Sequence, residues 1–475
     1  MKKSLIMLLI IVLVLGSCSR GIRTKSTCSK AQTEKTDQSI DTNVSDIEEL
    51  KETVIDKGKE IVTEEDILKE MKSTDKNWMN LTEKQYLEDF DYLFLQLQKN
   101  YPFFGVAERK YDIDLKARYK KTRKLLESCN NDYDFFDLLR EEFIPREFIG
   151  HMSLWGTRYS SEVNNKKEFV TNFPQYKEQL YPYIKALDNP ISIKNYKKMT
   201  DFFEKLSKKV EDANKRNGIS DTSEPINYEN KTDSANVTTK IIEDNNIAYV
   251  KVQSFDMDCY KEDKKKLIKF YKKVSNYSNL IIDISRNGGG GMDYFNDLIV
   301  SPNINRVINV PVYSLIKAGG NNDKFLKIKE GIKTGLWKPV KELPMLPQMN
   351  KIDLQELDYF NDDVYTIKPM GKEKLFKGKI WLLVSEMNYS SSEYAAMVSK
   401  YSGFAELVGR RTGGDGIGTD PVYIILPNSG LVVQYSPIYG ATADGANSEE
   451  FGTKPDILSA EREDPLNTCL KEIRQ

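Results

Sequence analysis

The chain has 475 residues, with 70 Lys and Arg against 71 Asp and Glu, a formal net charge of −1. That balance lacks the basic excess a nucleic-acid-binding domain carries, so no nucleic-acid partner is expected. A mean hydropathy of −0.54 excludes a multi-span membrane protein, and 39% hydrophobic residues suffice for a sizeable core. There is one histidine, His151, so a histidine-rich metal site is excluded and any histidine base must be this residue. At about 150 residues per domain, the length accommodates about three domains.

Lys2 and Lys3 precede an apolar run over 5–15. The run is too short for a transmembrane helix and fits a secretory signal. It ends Leu15-Gly16-Ser17-Cys18, which resembles a bacterial lipobox, in which the cysteine thiol accepts a diacylglyceryl group. The resemblance implies a lipoprotein signal peptide over 1–18 and a mature chain anchored through lipidated Cys18 in the cell envelope. Ser19 is no aspartate-type retention cue, which favours the outer membrane in a source with two membranes. The plainer reading is a secretory signal with an incidental cysteine. The other cysteines, Cys28, Cys129, Cys259 and Cys469, are scattered without a C-x-x-C pair, so no zinc site or dense disulfide framework follows.

Residues 19–80 are polar and charged, with Trp78 their one aromatic after the signal, and read as a flexible tether. Within it Ile47, Leu50, Val54, Ile61, Leu68 and Met71 recur at near-helical spacing, enough for a fragile helix. Residues 81–150 read as a helical module. Thr82 to Gln85 is a capped helix start, followed by Tyr86, Phe90, Leu93, Phe94 and Leu97 at helical intervals. Further helices are expected over 115–126 and 133–143. Residues 151–236 form a helical and loop insertion, with helices over 176–187 and 193–213 and an exposed loop over 214–234. No peptide-binding PDZ pattern is recognisable there.

A β-rich core is expected over 237–460. Residues 247–252 alternate like a strand, 260–275 read as a helix, and 280–284 form the apolar run of a buried parallel strand. Strands follow over 380–384, 405–408, 422–426 and 431–435, with a helix over 391–401. Residues 301–370 read as an insertion or lid, and 461–475 as a C-terminal tail. The fold class is α/β.

Three features carry chemistry. Asn287 is followed by four glycines, Gly288 to Gly291, directly after a buried strand. Such a turn brings backbone N–H groups close to a ligand and suits an oxyanion cradle. It lacks the Lys-Ser/Thr of a phosphate-binding loop and could also be a plain flexible turn. The second is Asn388-Tyr389-Ser390-Ser391-Ser392-Glu393, a serine triplet where a strand enters a helix. A hydroxyl there sees the positive end of the helix dipole and suits a nucleophile. Alternatively, the serines only cap the helix. The third, Glu449 to Asp456, is a turn when taken alone.

In this order the three resemble the C-terminal processing (tail-specific) serine peptidases, a family that includes the catalytic core of tricorn protease. The motifs are Asp283 to Gly290, Asn388 to Glu393, Val408 to Gly414, and Glu449 to Asp456. The resemblance implies a ClpP/crotonase-like core behind an N-terminal helical module, a peptide or protein substrate, and no metal or cofactor. It places the nucleophile at Ser390 and the oxyanion donors at Gly288, Gly289 and the backbone of Ser391. Many bacterial relatives use a lysine base in T-x-G-K-G, but this chain has Thr412-Gly413-Gly414-Asp415-Gly416, and Asp415 cannot act as an amine. The tricorn-like branch uses a histidine ahead of the core, matched by His151, supported by a glutamate matched by Glu449. The bridging serine of that branch is replaced by Gly150, so a Glu449–His151 link would need water or Ser153.

The implied activity is peptide hydrolysis through a Ser390 acyl-enzyme with His151 as general base. The alternative is a lipoprotein that has lost catalysis and binds a peptide or apolar ligand, as retinoid-binding relatives of the fold do. Crotonase-like acyl-thioester chemistry ranks last, because it leaves the serine motif unexplained.

Overall fold

The computed structural model describes residues 76–216 and 235–475, and the side chains of all of these but 210–216. The signal segment with Cys18, residues 19–75 of the expected tether and 217–234 of the expected loop lie outside the described residues.

The folded body begins before residue 81. Trp78 and Met79 are buried, the indole 4.7 Å from the Phe202 ring, and the N–H groups of Met79 and Asn80 donate to the buried Asp132 carboxylate. Trp78 therefore belongs to the core and not to a tether, because its apolar area and the anion's need for donors close on each other.

Helix α1 (Glu83–Asn100) starts where the sequence says, with a complete capping box between Thr82 and Gln85 that contributes about 1 kcal/mol. Then follow α2 (Phe104–Tyr111), α3 (Leu115–Leu126), capped by Asp114, and α4 (Asp132–Leu138), which runs on into a π turn at Leu139–Phe143. A short strand β1 (Ser153–Leu154) precedes α5 (Tyr159–Asn172), α6 (Lys177–Leu187) and α7 (Pro190–Arg216). Tyr86, Phe90 and Leu97 of α1 share one hydrophobic cluster with Tyr196, Met199 and Phe203 of α7. Residue 150 is thus no packing boundary: the helices on both sides of it cover each other.

Strands β2 (Val237–Glu243) and β3 (Ile247–Val252), helix α8 (Tyr260–Lys273) and β4 (Asn279–Asp283) open the sheet, and α9 (Met292–Phe295) follows the glycine turn. The expected insertion contains β5 (Ile308–Ile316), α10 (Gly320–Leu326), α11 (Ile328–Thr334), β6 (Lys338–Pro339), α12 (Lys351–Gln355) and β7 (Tyr359–Ile367). The chain returns through β8 (Lys379–Val384), α13 (Ser391–Ser402), β9 (Glu406–Gly409), β10 (Val422–Ile425), β11 (Val432–Tyr435), β12 (Ile438–Thr442), α14 (Ser448–Phe451) and β13 (Ile457–Leu458). It ends in α15 (Pro465–Ile473), which packs on β8 and β9 with Cys469 buried. An amphipathic helix thus stands where a tail was expected. The described cysteines, Cys129, Cys259 and Cys469, are buried and not joined in disulfides.

The central sheet has the order β13-β9-β8-β4-β3-β2, parallel except for β2. Buried on both faces, β4 and β8 are apolar throughout apart from their ends, as parallel strands must be. An antiparallel sheet β12-β5-β7-β6 makes residues 301–370 part of the body, since β12 from the core pairs with β5. A third sheet, β1-β11-β10, joins the segment just after His151 to the C-terminal hairpin. The chain is α/β, with a helical module in front of a mixed-sheet core.

Candidate active site

The glycine turn leaves the carboxyl end of β4 and the serine triplet follows β8, its immediate neighbour in the sheet. Both therefore emerge at the same edge, where α/β folds bind ligands. Asn287 and Asn388 lock the two turns together. The buried Asn388 amide donates to the carbonyls of Ile284, at 2.5 Å, and Asn287, at 3.0 Å. These asparagines have no reacting role, and sequence reasoning passed over them; their signal was an amide inside each motif where the chain turns.

Ser390 holds φ 59° and ψ −128°, a region costly for a residue with a Cβ. Its N–H donates to the Gly414 carbonyl at 3.0 Å, and α13 begins at the next residue. The three serines divide their labour. Ser391 Oγ donates to the Gly290 carbonyl and Ser392 Oγ to the Asn287 carbonyl, each at 2.6 Å. Ser392 Oγ also accepts from the Tyr389 N–H at 3.0 Å. Ser390 Oγ has no hydrogen-bond partner among the described residues and does not cap the helix.

Gly289 presses on the nucleophile turn. At φ +118°, a Cβ there would lie 2.9 Å from the Tyr389 carbonyl and 3.2 Å from the Ser391 nitrogen. Only glycine lets the loop come this close. The Gly289 N–H itself donates to Asn287 Oδ1 at 2.8 Å, so it is engaged and not the open donor expected from the resemblance. The N–H groups of Gly288, Gly290 and Ser391 have no partner among the described residues.

His151 ends a 3₁₀ turn, Ile149–His151, in which Gly150 and His151 have positive φ, as does Phe148 just before it. Its Nδ1 lies 2.5 Å from Asp415 Oδ2 and 3.0 Å from Ser436 Oγ, and that hydroxyl donates to the same carboxylate oxygen at 2.6 Å. Asp415, at the place of the relatives' lysine, is therefore the carboxylate that orients the imidazole. The sequence reading dismissed it as a base and did not consider it as a support. Only the sheet pairing of β11 brings Ser436 and this loop to His151.

Glu449 does not reach the imidazole. Its Oε2 accepts from Tyr389 OH at 2.7 Å, and its Oε1 lies 3.4 Å from Tyr111 OH and 3.9 Å from Lys110 Nζ. The link drawn from the tricorn-like branch is thus corrected: this glutamate holds a tyrosine. Gly150 shows why the bridging serine is missing, since at φ +50° a Cβ would meet the Phe103 ring at 2.5 Å. Ser153 pairs in β1, and the hydroxyl beside His151 is that of Ser436. Burial, aided by the Asp415 charge, pushes the Glu449 carboxyl up to about 8. Burial likewise raises Glu393 to about 7 against hydrogen bonds from Thr412 and Thr453.

Ser390, His151 and Asp415 line one cleft of about 860 Å³, with Gly288 to Gly291 on its floor. Ile144, Trp155 and Phe169 of the helical part and Tyr365 of β7 form its walls. That volume is in the range of a ligand site and suits several residues of an extended peptide.

Residues 246–459 match the model of peptidase family S41, and residues 82–143 match that of the tricorn protease C1 domain. No curated protein matches the chain. Among solved structures, a candidate peptidase from Parabacteroides merdae is 18% identical at a TM-score of 0.48, over 83% of this chain and 98% of that one. A lipoprotein from Streptococcus agalactiae is 13% identical at a TM-score of 0.39, over 83% and 96%. The photosystem II D1 C-terminal processing protease is 17% identical at a TM-score of 0.32, over 50% and 51%. The two family matches lie in order along the described body, and residues 246–459 carry the match to peptidase family S41.

Proposed function

We propose that this S41 member is an active serine peptidase with a Ser390–His151–Asp415 triad, anchored to the cell envelope through Cys18. The observation that carries the reading is the division among the serines. Ser391 and Ser392 spend their hydroxyls on the glycine loop, while the strained Ser390 keeps its own free in the cleft that His151 also lines.

In this reaction Ser390 Oγ attacks a peptide carbonyl as His151 Nε2 takes its proton. Asp415, on Nδ1, holds the tautomer that leaves Nε2 free to accept and stabilises the imidazolium. The Ser391 N–H, at the positive end of α13, and an unengaged N–H of the glycine loop receive the oxyanion. His151 then protonates the leaving amine, and water, deprotonated by the same ring, hydrolyses the acyl ester.

The test is covalent labelling by a fluorophosphonate. The wild-type protein is expected to label, and Ser390→Ala is expected to lose both labelling and peptide hydrolysis. An unlabelled wild type that binds peptides would support the non-catalytic alternative. Because His151 is the one histidine, diethyl pyrocarbonate on untagged protein tests the base directly: undiminished hydrolysis after full modification removes it. For the anchor, Cys18→Ser should abolish incorporation of a fatty-acid probe. Three lipid chains on one cysteine would suffice for stable anchoring.

A further inference from the structure

Tyr389 directly precedes the proposed nucleophile, and its side chain reaches to the other half of the site. Its ring centroid lies 4.8 Å from that of His151. Its hydroxyl accepts from the His151 main-chain N–H at 3.3 Å, lies 3.2 Å from the Phe148 carbonyl, and donates to Glu449 Oε2. The hydroxyl therefore sits between both ends of the turn that holds Phe148, Gly150 and His151 at positive φ.

The tyrosine is itself held firmly. Its N–H donates to Ser392 Oγ, and its carbonyl lies 2.9 Å from where a Cβ on Gly289 would stand. Its acceptor is held too. Lys110 Nζ of α2 donates to the main-chain carbonyls of Glu449, at 2.5 Å, and Gly413, at 3.0 Å, and Tyr111 faces the carboxylate. The residue preceding Lys110, Arg109, grips Glu450 and Asp353 together. Two positive-φ residues beside Gly150 make the His151 turn costly on its own, so external hydrogen bonds must keep it in place. Tyr101 OH on the Ile149 carbonyl, at 2.8 Å, and the Ser436 N–H on the Gly150 carbonyl, at 2.6 Å, are two such bonds. Among the described residues, Tyr389 is the one that both hydrogen-bonds this turn and is covalently joined to Ser390.

We infer that Tyr389 is a positioning residue, whose Glu449-held hydroxyl sets the His151 main chain against the Ser390 turn so that base and nucleophile keep one register. The inference rests on the triad proposed above. Glu449, assigned by resemblance to the imidazole, acts through this tyrosine, and α2 carries the helical module's contribution to the same contact.

Tyr389→Phe keeps the ring and removes the hydroxyl. It should lower kcat roughly tenfold to a hundredfold, as a misplacement near 1 Å does, with KM within about twofold. Glu449→Leu should act through the same bond, so the double variant should be little worse than either single one. Because the chain has one histidine, the downfield proton of the His151–Asp415 pair is assignable in the NMR spectrum of untagged protein. That resonance should broaden or shift in Tyr389→Phe while circular dichroism stays unchanged, a response that a merely structural tyrosine would not give. Fluorophosphonate labelling separates the two layers. If Ser390→Ala is unlabelled while Tyr389→Phe labels, turns over and resonates as the wild type does, this inference fails and the triad stands. If Ser390→Ala labels like the wild type, the triad itself fails. Additive losses in the double variant would also overturn the shared-bond role.

Discussion

On the reading proposed above, the nucleophile side and the base side of the cleft are built in opposite ways. The nucleophile side comes from two turns on adjacent parallel strands, each a short continuous motif: Asn287 to Gly291 after β4 and Asn388 to Ser392 after β8. The base side gathers His151, Asp415, Ser436 and Glu449, the first two 264 positions apart in the chain and His151 and Ser436 285 apart. Local backbone geometry decides the first: strand, strained turn, helix start. The second depends on the pairing of β1 with β11 and on the packing of α2 against α14. A short motif therefore reports the shape of the Ser390 turn, while a resemblance can carry a supporting carboxylate to another partner, as it did for Glu449.

The largest expected effect lies on the nucleophile side. Ser390→Ala should abolish hydrolysis and labelling, yet change stability by no more than about 1 kcal/mol in chemical denaturation, since the hydroxyl makes no bond there. Activity above background in that variant would break the comparison at its root.

Next comes the base side, where the choice between two carboxylates is sharp. Asp415→Asn should lower kcat by roughly 10³- to 10⁴-fold, because the amide can hold the wrong tautomer of His151. A loss below tenfold in steady-state kinetics would return the orienting role to another group. Gly289→Ala should cost about 1–3 kcal/mol in urea unfolding, from its φ of +118° and its contact with the Tyr389 carbonyl. It should also lower kcat about a hundredfold by pushing the oxyanion loop off Ser390.

Glu449→Gln sharpens the same contrast from below. The side-chain oxygen of glutamine can still accept from Tyr389 OH, so kcat should fall less than about tenfold, far short of Asp415→Asn. Equal losses in the two variants would mean that both carboxylates act on the imidazole.

The smallest effect separates catalysis from stability. Glu393 is buried under the nucleophile helix, with its carboxyl raised from 4.5 to about 7. A raised carboxyl binds its proton more tightly in the folded state, so its contribution is complete below the unfolded value and declines as pH rises from about 4.5 through about 7. Glu449, raised to about 8, extends the decline upward. Glu393→Gln should flatten the lower part of this slope in thermal melts taken from pH 5 to 8. An unchanged slope would show that Glu393 does not titrate there.

Much of the fold was legible. The capped start of α1, the bounds of α3, and the strands and helices of the β-rich part follow from periodicity, capping residues and apolar runs, which act over a few residues. The misplaced parts share one cause. Trp78 looked like part of a tether because its partners Phe202 and Phe203 lie more than a hundred residues away. Residues 465–473 looked like a tail because their apolar face meets β8 and β9 only in three dimensions. Residues 301–370 read as an insertion or lid because β5, already paired with β7, finds β12 only after the chain has returned.

By itself the sequence carried the resemblance to the peptidase family, the α/β class, the glycine turn, and the serine and the histidine proposed for the site. Each depends on a residue type at a local spacing, and the single histidine left no choice of ring. Tertiary structure alone decided which carboxylate faces that ring, which serine keeps a free hydroxyl, and which glycine N–H is already taken. Those outcomes depend on hydrogen bonds between segments far apart in the chain, where a displacement of about 1 Å exchanges one partner for another.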